Sequence, residues 1–128
     1  MSTAKQKFLA VALAVVTVLF VALLVVGFGQ LRELNRYKMD VRYAHDIIGG
    51  FHFKRDLALK AEPQEASHYL YELYFPKGQP SPFTGSLSNF VETERRRDVH
   101  DILIYLRAKT GKDLGADPET WIHEYDQK

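Results

Sequence analysis

From Phe8 to Phe28 the chain reads FLAVALAVVTVLFVALLVVGF, 21 residues without a charge and with Thr17 as the only polar side chain. A helix of that length, rising 1.5 Å per residue, is about 30 Å long and matches the hydrocarbon core of a bilayer. In water it would need apolar partners on every side, and only about 100 other residues are present to supply them. The segment therefore predicts a single membrane-spanning helix. A cleaved signal sequence is the alternative: Lys5 and Lys7 would form its charged start, and Gly27 and Gly29 would precede a cut before Gln30. Against cleavage, the apolar run exceeds the roughly 7–15 residues of a signal's core, and no A-x-A site follows it.

The rest of the chain has a different composition. All but two of the 17 Lys and Arg residues and all 16 Asp and Glu residues follow Phe28, so this part is close to neutral. Nucleic acid is excluded as an expected partner, because phosphate backbones are bound by basic surfaces. All but three of the aromatic residues also follow Phe28, which predicts a folded region, since disordered segments are poor in aromatics. There is no cysteine, so disulfides, thiolate metal sites, thiol nucleophiles and lipid-modified cysteines are ruled out together.

The expected organisation is a tail at 1–7, a transmembrane helix at 8–28, a juxtamembrane helix at 29–50 and a small folded domain at 51–128. The juxtamembrane helix follows from Tyr37, Val41, Ala44 and Ile48 at helical spacing, with Gly49-Gly50 as its stop. Gly27 and Gly29 allow a bend at the membrane surface. Arg32, Arg36 and Lys38 are placed near lipid headgroups, where a basic residue is worth on the order of 1 kcal/mol against an anionic leaflet. Counting these charges puts the domain in the cytoplasm, whereas a short Lys-bearing start before the first apolar helix reads as an exporting signal anchor. The export reading is favoured, in a bacterial inner membrane.

The fold class expected is mainly α, with about three helices in the domain. Phe51 and Phe53 alternating with His52 and Lys54 also allow a short β segment. Pro63 fits the first turn of a helix whose stripe is Ala66, Tyr69, Leu70, Leu73 and Tyr74. Residues 76–88, PKGQPSPFTGSLS, read as an irregular connection pinned by Phe83. Ser88 is the expected cap of the next helix, striped by Val99, Ile102, Leu103 and Leu106 and stopped at Gly111. A last helix is capped by Asp117, starts at Pro118 and sets Trp121 and Tyr125 on one face.

Leu106, Arg107, Thr110, Gly111, Asp113, Gly115, Asp117, Pro118 and Trp121 together spell L-R-x-x-T-G-x-D-x-G followed by D-P-x-x-W. This segment resembles a short C-terminal pattern of bacterial envelope and HEAT-repeat-like proteins. The resemblance implies a structural helix-turn-helix closure and no reaction. Trp121 in it is expected in the core, or, if exposed, as an anchor for a partner.

Catalytic patterns are weak. In His45-Asp46 and His100-Asp101 the two residues are neighbours on a helix and point about 100° apart. His123-Glu124 lacks a second histidine at ligand spacing. Asp113, Asp117 and Glu119 alternate like a calcium loop, but Pro118 and a missing glycine break the pattern. Arg95-Arg96-Arg97 sits among acids and reads as a solvated face. No metal, no cofactor and no enzymatic activity are therefore expected. The function expected is a membrane-anchored interaction module, an accessory subunit of a larger bacterial membrane or envelope complex. Lipid and other membrane subunits are its partners, with Trp121, Tyr125 and Phe83 as candidate contacts and Ala10 and Ala14 as a small-residue face for a partner helix. The alternatives are a membrane-bound enzyme or sensor with a cleft lined by His68, Tyr69 and His100, and an exported soluble domain.

Overall fold

The computed structural model describes residues 3–75 and 79–125, and among them every regular element is helical. The helices are α1 (Thr3–Ala58), α2 (Pro63–Tyr74), α3 (Gly85–Thr110) and α4 (Pro118–Tyr125). The chain divides into two compact units, Met1–Met39 and Asp40–Lys128. The first is helical throughout its described residues. It contains the span candidate, a helix long and apolar enough to cross a membrane, with none of its apolar window buried.

The short β segment at Phe51–Phe53 is not formed, and Gly49-Gly50 does not stop the helix. Both lie inside α1, which is 56 residues long. Two interior glycines cost a helix roughly 1 kcal/mol each relative to alanine. The residues around them make up for this through packing: Ala44, Ile48 and Ala58 are buried, and Phe51 packs on the core. A strand would put Phe51 and Phe53 on the same face. Here Phe53 is 64% exposed while Phe51 is covered, as the 3.6-residue period requires. Gly27 and Gly29 are likewise interior to α1.

In the second unit the core joins Ala58 and Ala61 to Ala66, Leu70 and Leu73 of α2, Val99, Ile102, Leu103 and Leu106 of α3, and Trp121 and Ile122 of α4. α2 begins at Pro63 after an extended Glu62, so the missing proline N–H falls where no helical partner exists. α3 starts a turn earlier than Ser88. Thr84 is extended, and Gly85 at φ +62 turns the chain into the helix, a conformation glycine adopts without a Cβ clash. At its other end Gly111 is left-handed, and its N–H donates to the Arg107 carbonyl at 2.9 Å.

The segment after α3 closes on itself. Asp113 Oδ1 accepts from the Gly115 N–H, and Arg107 reaches both Asp113 and the Gly115 carbonyl. The indole N–H of Trp121 donates to that same carbonyl at 2.9 Å, and Asp117 accepts from the Glu119 N–H. The fully buried Trp121 thus has its one polar atom satisfied. Residues 76–78 of the expected irregular connection, and 126–128, lie outside the described residues.

Ile102 is fully buried, whereas Ile104 on the same helix is exposed. Ile102→Ala is expected to destabilise the full chain by about 2–5 kcal/mol, and Ile104→Ala by less than about 0.5 kcal/mol. Chemical unfolding in detergent, followed by Trp121 fluorescence, measures both.

Candidate functional site

Two features of the second unit combine chemistry-bearing side chains from separate helices. The first is a polar cluster between α1 and α3. Asp98 is fully buried, at the N-terminal end of the α3 apolar stripe, one turn before Ile102. Its two oxygens face α1, where His52 Nδ1 lies 2.8 Å from Oδ2 and Arg55 donates to Oδ1 at 3.0 Å. Because His52 and Arg55 are three residues apart, they project from one face of the helix onto one carboxylate. Glu94 stands 3.8 Å from the other ring nitrogen of His52, and Asp101 3.8 Å from Arg55.

A carboxylate without water requires such partners, since an unpaired buried charge is worth several kcal/mol against folding. The charge of Arg55 is reinforced, first by its hydrogen bond to Asp56 and then by Asp98 and Asp101. With Nδ1–H donating to Asp98, the carboxylate fixes the His52 ring, the arrangement that orients a general base. The group nearest the outer nitrogen is the Glu94 carboxylate, an acceptor, so the geometry is that of a clasp between helices. Among the described residues no group of three His, Cys, Asp or Glu is spaced to hold a metal.

The second feature is a groove of about 590 Å³ between α2 and α4, open to solvent and lined by Glu65, His68, Tyr71, Ile122 and Tyr125 among others. Beside it Tyr71 and Phe75, 43% and 48% exposed, stack with ring centroids 4.5 Å apart. Tyr74 meets Phe75 edge-on at 5.7 Å. The groove takes His68 but not Tyr69 or His100. His68 is within 3.2 Å of Glu72, the Tyr69 hydroxyl faces Glu65, and His100 is exposed on α3.

Of the other residues singled out in the sequence, Trp121 and Phe83 are both buried, Phe83 against the Tyr43 ring at 5.5 Å. Tyr125 is half-buried on the groove wall, with the Lys112 ammonium 5.7 Å from its ring centre. In the first unit Ala10 and Ala14 are exposed one helical turn apart, and Arg32, Arg36 and Lys38 are exposed. The arginine run is not a uniformly solvated face. Arg95 is largely covered and donates to the Leu73 carbonyl and to Glu92, while Arg96 and Arg97 remain exposed. The aromatic step of Tyr71 and Phe75 and the Asp98 cluster were missed from sequence. For Asp98 a signal existed: it sits at the i−4 position of the Ile102–Leu106 stripe, on the face that is buried.

Removing Arg55 leaves the buried Asp98 without the guanidinium that donates to its Oδ1. Arg55→Met is expected to cost about 3 kcal/mol at pH 7, and Arg96→Met under about 0.5 kcal/mol, read from denaturant midpoints. Glu92 is held below the usual carboxylate range, first by its hydrogen bond to Arg95 and then by Arg96. Stabilisation from a depressed carboxyl is complete above its unfolded pKa of about 4.3 and is lost as pH falls through the folded value. Glu92→Gln should therefore flatten the loss of thermal stability between neutral and acid pH. Compared with known proteins, the chain matches no family model, no curated protein and no solved structure.

Proposed function

We propose that this chain is a membrane-anchored interaction module without catalytic activity, an accessory subunit of a larger bacterial membrane or envelope complex whose domain lies outside the cytoplasm. The observation that carries the reading is the exposed ring pair of Tyr71, which lines an open groove, and Phe75 beside it. Aromatic side chains supply large, stiff contact area and are enriched where partners bind. A binding face of this kind needs no reacting group. The anchor is the apolar run of α1, whose 21 uncharged residues exceed the roughly 7–15 of a signal's core.

The test is a tagged full-length chain, extracted from its own membranes in mild detergent, with mass spectrometry of what stays bound. Stoichiometric co-recovery of other membrane proteins is expected, falling at least about tenfold in the Tyr71→Ala, Phe75→Ala double variant, as loss of a binding hot spot predicts. Recovery of the chain by itself would overturn the accessory-subunit reading. Release of the chain from membranes by alkaline carbonate would overturn the anchor.

A further inference from the structure

Just past the apolar span, α1 carries apolar residues that none of the described residues covers. Leu34 and Tyr37 are 50% and 61% exposed, and they occupy the first and fourth places of a heptad. The residue before Leu34 is Glu33 and the residue after Tyr37 is Lys38. In heptad terms Leu34 is a, Tyr37 is d, Glu33 is g and Lys38 is e. Two parallel copies of such a helix bring g of one chain to e of the other five residues on, so Glu33 of each copy meets Lys38 of the other. Glu33 and Lys38 have no ion-pair partner among the described residues. One heptad later Val41 at a is 41% exposed, whereas Ala44 at d is buried within the chain's own second unit, so the seam ends at Tyr37 and Lys38.

Lipid does not account for this face. At 1.5 Å per residue Tyr37 stands about 14 Å beyond Phe28, whereas the interfacial layer of a bilayer is roughly 5–8 Å deep on each side. An antiparallel partner is not offered by an anchored helix, since all copies enter the membrane in the same sense. Tethering also raises the local concentration, so a seam too short to dimerise in solution suffices here.

We infer that α1 pairs with α1 of a second copy of this chain as a short parallel seam outside the bilayer, closed by Leu34 and Tyr37 and selected by reciprocal Glu33–Lys38 pairs. The parallel sense rests on the anchored reading above. On this account Lys38 serves the neighbouring chain, and Arg32, about 6 Å beyond Phe28, remains within reach of lipid headgroups.

The chain contains no cysteine, so a single introduced thiol reports one contact without background. Full-length variants Leu34→Cys, Tyr37→Cys, Asn35→Cys and Met39→Cys are oxidised in carbonate-washed membranes and run without reductant. Disulfide-linked dimer is expected for Leu34→Cys and Tyr37→Cys, at least about fivefold faster than for the outward positions Asn35→Cys and Met39→Cys, because only a and d positions face each other in a parallel pair. In the Leu34→Cys background, Glu33→Lys or Lys38→Glu should slow linking by about fivefold through like-charge contact, and the two together should restore it. Equal rates at all four positions, or no rescue by the double reversal, would overturn the dimer while leaving the anchor intact. Absence of the chain from washed membranes would overturn the anchored reading and the seam with it.

Discussion

A carboxylate withdrawn from water has to find hydrogen-bond donors, and the second unit is organised around how Asp98 finds them. His52 and Arg55 come from two consecutive turns of α1, so the helix must be continuous there for both to reach the same side chain. That requirement and the packing of Ala44, Ile48, Phe51 and Ala58 override two glycines that local propensity would use as a stop. A purely apolar contact at this place would have tolerated sliding of α1 along α3. A two-point contact to one carboxylate fixes both the rotation and the height of the helix.

Against that frame α4 is held by a different device. The loop between α3 and α4 turns on Gly111 and Gly115, both left-handed, and the Gly115 carbonyl collects the Arg107 guanidinium and the Trp121 indole N–H. The loop thereby spends its polar groups on itself and delivers the largest apolar side chain of the unit to the core. With α4 pinned, its outer face and that of α2 leave the groove lined by Tyr71, against whose ring Phe75 packs. The surface proposed for binding is thus a consequence of how a short helix is fastened at one end.

Much of the local structure was legible in order along the chain. Pro63, Gly111 and the Asp117-Pro118 start mark helix ends because each residue type has a backbone reason to be there. The stripes of α2 and α3 follow from period alone. Local pattern is ambiguous where two periods coexist over a few residues, at Phe51–Phe53, and it misplaces a helix start where a glycine supplies the turn, at Gly85 instead of Ser88. Local pattern is equally ambiguous for charge. Arg95 and Asp98 look like members of a solvated, balanced run, and only their angular position on α3 distinguishes them from Arg96 and Arg97.

The sequence by itself determined the elements: an apolar helix of bilayer length, a neutral and aromatic-rich folded region, and helices with identifiable ends. These depend on interactions within a few residues and on the length of an uncharged run, which a linear reading contains. Tertiary structure alone decided which residues act together. His52 and Asp98 are 46 positions apart, and the Tyr71 and Tyr125 that share a groove are further still. Their proximity arises from the crossing of helices, a property of packed volume and buried charge that no short window of sequence holds.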